Sequence, residues 1–98
     1  MNALDRLHVS TTDLARICRE FGVRELSVSG SVLRDDYRDI DFLVEFGANF
    51  RPSLFHLIRL QHGLEDLVDR SVDVVPRDGL KPAIRAEVLA SARCVYAA

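Results

Sequence analysis

With 98 residues, 48% of them hydrophobic and 29% charged, the chain is sized for one domain around a single core, residues 1–98. The balance of 13 basic against 15 acidic side chains gives a net charge of −2, which excludes the basic footprint of a direct nucleic-acid binder and any general attraction to an anionic membrane. No apolar run reaches the ~18 residues of a membrane span, and the start MNALDRLHVS lacks the apolar stretch of a secretion signal, so a cytoplasmic protein is expected.

Ser10-Thr11-Thr12-Asp13 opens the first helix, with Ser10 and Asp13 spaced as an acidic variant of the capping box. Leu14, Ile17, Cys18 and Phe21 follow at i, i+3, i+4 and i+7 as one apolar stripe, and Gly22 is a natural stop. Arg24 to Ser29 reads as a short strand, Leu26 and Val28 on one face, Ser27 and Ser29 on the other. Gly30-Ser31 turns the chain into a short helical segment ending near Asp36. The next strand, DIDFLVEF, has an odd composition. Ile40, Phe42, Val44 and Phe46 form a core row, while Asp39, Asp41, Leu43 and Glu45 share the other face.

Gly47-Ala48-Asn49 breaks that strand, and Pro52-Ser53 precedes a longer helix over 54–69 with Leu57, Leu60, Leu64 and Leu67 as its stripe. This helix and the last one hold apolar positions left over for an interface, which periodicity alone does not separate from core. SVDVVP, Ser71 to Pro76, is a third strand; Asp78-Gly79 is a turn; Pro82 suits the first turn of the last helix, whose buried side is Ile84, Val88 and Leu89. The tail Cys94-Val95-Tyr96 can add a short extended piece. The order α-β-α-β-α-β-α predicts an α+β (α/β) sandwich, a small mixed sheet of about three strands with helices packed on it. Cys18 and Cys94 are expected as two buried thiols rather than a disulfide. His8, His56 and His62 lack zinc-ligand spacing.

Four features converge on one edge of this sheet. Asp39 and Asp41 are neighbours on one strand face, and two like charges held so close need a compensating cation or a proton. Asp73 sits mid-strand between Val72 and Val74 and joins them if the third strand lies beside the second. Three oxygen donors suit Mg²⁺ or Mn²⁺ better than Zn²⁺. Gly30-Ser31 lets a ligand approach the backbone before a helical turn whose free N–H groups favour phosphate, and Arg34, one turn on, can reach a phosphate oxygen. Carboxylates for Mg²⁺ beside an anion-binding turn are the parts of a phosphoryl or nucleotidyl transfer site. Each part also has a plainer role: Gly-Ser as a turn and cap, Asp-x-Asp as a solvated edge, Asp73 as a partner of Arg70 or Arg77, and Glu45 as a surface residue.

As a set, GSVLRDDYRDIDFLVEF followed by SVDVVP resembles the minimal nucleotidyltransferase (MNT) family of the polymerase-β-like superfamily, commonly the antitoxin halves of HEPN–MNT toxin–antitoxin pairs. The similarity runs over nearly the whole chain, from the leading helix to LKPAIRAEVLASARCVY. The resemblance implies that Gly30 and Ser31 hold a nucleoside triphosphate, that Asp39, Asp41 and Asp73 bind Mg²⁺ (two ions expected), and that Asp73 is the natural base. The implied reaction is transfer of AMP from ATP to a hydroxyl, usually a tyrosine of a partner HEPN ribonuclease, within a hetero-oligomer. Two departures stand out. Ser29 replaces a large apolar residue, and only Val32 to Arg38, seven residues, separate Gly-Ser from Asp39, where the family's spacer is longer and commonly holds a Pro-Asp-Ser-like turn. A shorter connection must unwind the short helix or shift the aspartates, and ~1 Å can cost about a hundredfold in rate. Two readings follow: an active Mg²⁺-dependent transferase, or a degenerate antitoxin that neutralises its partner by binding only. A solitary small-molecule transferase is disfavoured, because nothing outside the minimal core is long enough to build an acceptor pocket.

Overall fold

Helix α1 (Thr11–Phe21) begins where Ser10 takes an extended backbone and its Oγ accepts a hydrogen bond from the Asp13 N–H at 3.4 Å, as the spacing predicts. It ends at Gly22, whose φ of 73° turns the N–H back toward the carbonyls of Cys18 and Arg19, a conformation with no Cβ penalty for glycine. The computed structural model describes residues 9–28 and 40–98, leaving out the side chains at 84 and 85. Gly30, Ser31, Arg34, Asp39 and the expected short helix lie outside the described residues, as does the expected burial of Ile84.

Among the described residues four strands follow the helix in one sheet: β1 (Val23–Val28), β2 (Ile40–Phe46), β3 (Val72–Pro76) and β4 (Arg93–Ala97), in the order β3-β2-β1-β4. β2 runs antiparallel to β1 and parallel to β3, and β1 runs antiparallel to β4, so the sheet is mixed as expected. The parallel pair requires a crossover, supplied by α2 (Leu54–Val68) in a βαβ unit. The strand count corrects the expectation of about three. The tail closes the sheet because Val28, Ser27, Leu26 and Glu25 pair with Arg93, Cys94, Tyr96 and Ala97. A 3₁₀ turn at Arg77–Gly79 leads into α3 (Pro82–Ser91), with Pro82 in its first turn.

The core lies on one sheet face. Ile40, Phe42, Val44, Leu26, Val28 and Val72 meet Leu14 and Cys18 of α1 and Leu60, Leu64 and Val68 of α2. Full burial of each such aliphatic or aromatic side chain contributes roughly 1.5–3 kcal/mol. A register shift between Val23 and Glu25 lets Val23 join Leu26 on this face. The α2 stripe differs slightly from its reading: Val68 is buried, Leu67 packs at the margin and Leu57 is half-buried. On the opposite face Leu43 is also buried, at 4% exposure. It lines a cleft of about 160 Å³ with Ser27, Leu89, Ala92 and Cys94, where the end of α3 approaches the sheet.

No helix among the described residues is long and apolar enough to cross a membrane. Both cysteines are free: Cys18 is buried as expected, but Cys94 is exposed on β4, a correction that follows from its place on the terminal strand. Burial pushes the Cys18 thiol up to about 12, which keeps it protonated and inert. His56 ties the helices together. Its Nε2 lies 2.6 Å from the Phe21 carbonyl, which can only accept, so that nitrogen carries the proton. Its ring also meets Phe21, Phe46 and Phe50.

Candidate functional site

The parallel register of β2 and β3 sets Asp41 directly beside Asp73, with Ile40 beside Val72 before them and Phe42 beside Val74 after them. In-register residues of adjacent strands share a sheet face and lie about 4.8 Å apart along the hydrogen-bonding direction. Ile40 and Val72 are buried, so the two carboxylates belong to the opposite face, at the N-terminal ends of both strands. Asp41 is half-buried and Asp73 exposed. The convergence that the sequence allowed is therefore present for this pair.

The strand ends carrying them are tied in place. The Ile40 N–H donates to the Ser71 carbonyl at 3.1 Å, and the Val72 N–H donates to Glu65 Oε2 of α2, also at 3.1 Å. Glu65 thus holds the residue immediately before Asp73. Sequence reading missed it, because a half-buried glutamate near a helix end has no local mark of a long-range backbone bond.

Glu45 stands at the other end of the same β2 face, and its surroundings differ. Arg77 Nη1 pairs with Glu25 and also lies 3.4 Å from Glu45, while Arg24 lies 3.5 Å from Glu45. Glu45 is thus a network member rather than a lone surface residue. Arg77, one of two candidate partners for Asp73, is committed to this network. The Asp73 side chain makes no hydrogen bond or ion pair among the described residues. A cleft of about 560 Å³ opens at the C-terminal ends of β2 and β3, between Phe46, Phe50, Arg51, Pro76 and Asp78, away from the aspartates.

Paired carboxylate oxygens are hard donors, and their mutual repulsion is relieved by a hard divalent cation, so Asp41 and Asp73 fit Mg²⁺ in chemistry. The third expected ligand, Asp39, lies outside the described residues, as do Gly30, Ser31 and Arg34 of the expected nucleotide turn. Among the described residues there is no group of three or more His, Cys, Asp or Glu suited to a metal ion.

A family model described as a nucleotidyltransferase domain matches residues 13–95. A Methanocaldococcus jannaschii chain, MJ0435, provisionally named a protein adenylyltransferase, is 36% identical over 76 residues, covering 74% of this chain and 80% of its own. The protein adenylyltransferase MntA of Thermococcus cleftensis is 37% identical over 84 residues, 83% of each chain. A solved structure provisionally described as a minimal nucleotidyltransferase superposes with a TM-score of 0.67 at 33% identity, over 85% of this chain and 86% of that one. Two complexes share the fold at 16% identity: a toxin–antitoxin structure with AMP-PNP (TM-score 0.70, 92% of this chain and 75% of that one) and a tri-AMPylated Shewanella oneidensis HEPN toxin with its MNT antitoxin (TM-score 0.65, 90% and 70%).

Proposed function

Because the chain belongs to the nucleotidyltransferase domain family, we propose that it is a Mg²⁺-dependent protein adenylyltransferase acting as an antitoxin. It transfers AMP from ATP to a hydroxyl, that of a tyrosine, on a partner HEPN toxin. The observation that carries this reading is the in-register pair Asp41 and Asp73 on one sheet face. The names of the relatives and the AMPylated toxin seen beside an MNT antitoxin support the substrate and the partner. The proposed site is Asp39, Asp41 and Asp73 for the metal and Gly30, Ser31 and Arg34 for the triphosphate.

A bound Mg²⁺ would supply charge neutralisation along the triphosphate. The chain's own part is positional. The parallel register sets two carboxylates side by side, and Glu65 and the Ile40–Ser71 bond hold the strand ends that carry them. Asp73, exposed and with no side-chain partner among the described residues, accepts the proton of the acceptor hydroxyl. The acceptor oxygen forms its bond to the α-phosphorus, the bond from that phosphorus to the bridging oxygen breaks, and pyrophosphate leaves with the electron pair.

Incubation with ATP, Mg²⁺ and the partner toxin, followed by intact-mass analysis of the toxin, tests this reading. AMP increments are expected with the natural chain and not with Asp41→Asn or Asp73→Asn. The seven-residue spacer Val32 to Arg38 favours one other reading, neutralisation by binding only. Toxin that is silenced without any AMP increment, equally by the natural chain and both variants, establishes that reading instead.

A further inference from the structure

The sheet face that carries Asp41 and Asp73 is ordered in rows across the strands. Those two carboxylates form the first row. Two residues further along β2, Leu43 lies beside Val75 of β3 and opposite Ser27 of β1, and Ser27 lies opposite Cys94 of β4. Glu25 and Glu45 pair in a third row, where Arg77 joins them. Two strand residues span about 6.6 Å, so the second row is one short step from the carboxylates.

The cleft of about 160 Å³ beside the end of α3 stands on this second row. Leu43 is its floor, Leu89 and Ala92 its apolar wall, and Ser27 and Cys94 its polar side. Glu25, Glu45 and Arg77 close the end away from Asp41. Their charges are matched, with Arg24 completing the set, so the cleft has no spare charge to offer an ion. Its size is equally selective. A cavity of about 150 Å³ holds one benzene ring, whereas sites that enclose whole small molecules run to roughly 300–1,000 Å³. One uncharged six-membered ring fits; a purine with its sugar does not.

Given the adenylyltransferase reading, on which this rests, we propose that the cleft is the acceptor subsite. It takes the phenol ring of the acceptor tyrosine over Leu43, with the hydroxyl pointing along the strand toward Asp41 and Asp73. The remainder of the acceptor protein stays outside, which suits a cleft too small for a free substrate. Serine and threonine carry their hydroxyl one carbon from the backbone and have no ring for the cleft to hold, so the subsite selects tyrosine.

Cys94 reports on the cleft directly. It lines the cleft and is exposed, whereas Cys18 is buried with its thiol pushed up to about 12. Alkylation of Cys94 by iodoacetamide, followed by intact mass, is measured with rising 4-methylphenol, the tyrosine side chain alone, and with 1-butanol as a ringless alcohol. Saturable protection of about fivefold or more is expected from 4-methylphenol only. Cys94→Phe then fills the cleft from an exposed strand position that accepts an aromatic residue, and circular dichroism checks the fold. AMP transfer to the toxin is expected to lose about tenfold or more in kcat/KM with Mg²⁺–ATP binding unchanged, while Cys94→Ser stays within about twofold of the natural chain. Alkylation indifferent to 4-methylphenol, equal protection by 1-butanol, or normal transfer by Cys94→Phe overturns the subsite. Transfer by the natural chain without protection removes the subsite and leaves the reaction standing. Protection without transfer to any toxin hydroxyl removes the reaction, and the acceptor role falls with it.

Discussion

The two ends of one sheet face carry acids of opposite fate. At the C-terminal end of β2, Glu45 and the neighbouring Glu25 are matched by Arg24 and Arg77. At the N-terminal end, Asp41 and Asp73 stand side by side in parallel register, and the Asp73 side chain has no hydrogen bond or ion pair among the described residues. Leu43, buried between the two ends, separates them. The lesson is about which charges serve the fold. Glu45 can be explained by packing and neutralisation alone, whereas Asp73, held beside a second acid, carries a charge that no described residue offsets. Their juxtaposition makes sense when a cation or a proton completes it.

The widest contrast between the ends comes from Asp73→Asn. Transfer of labelled AMP to the toxin is expected to fall on the order of a hundredfold or more. Denaturant melts should move by less than about 0.5 kcal/mol, since the side chain is exposed and has no partner among the described residues. Glu65→Ala comes next: losing the bond to the Val72 N–H should lower stability by about 1–2 kcal/mol and loosen the strand start that carries Asp73, so transfer falls as well. Arg77→Ala probes the other end. Its ion pairs are about one-third exposed, so the expected loss is about 1 kcal/mol or less, with transfer unchanged within a factor of about two. Smallest of all, Gly63→Ala touches neither end. An added Cβ meets Ile17 and Phe21 at 3.9 Å, ordinary contact distance, and removes a helix glycine, so the melting midpoint should rise by up to about 1 kcal/mol of stability with transfer unaltered.

Much of the fold was legible because its signals are local. The Ser10 cap, the Gly22 stop, the α1 stripe and the alternation of Ile40, Phe42 and Val44 all stand in the structure as the spacing predicts. What was hidden depends on pairing. Arg93 to Ala97 has no strand signature beyond Cys94-Val95-Tyr96, and only the free edge of β1 recruits it as a fourth strand. That terminal placement also leaves Cys94 exposed. The site was legible in part for the same reason. Asp41 and Asp73 were recognisable as misplaced strand carboxylates, but their meeting required β3 to lie beside β2 in one particular register. Glu65 and the Arg77 network were invisible because a long-range side-chain bond leaves no period in the sequence.

The most direct measurement is a calorimetric titration with ATP, with and without Mg²⁺, of the natural chain, Asp73→Asn and Arg77→Ala. If the aspartate end is the metal–nucleotide site, binding requires Mg²⁺, disappears in Asp73→Asn and persists in Arg77→Ala. Binding that survives Asp73→Asn unchanged, or that fails in the natural chain while it remains folded, contradicts that assignment and leaves the paired carboxylates without a catalytic role.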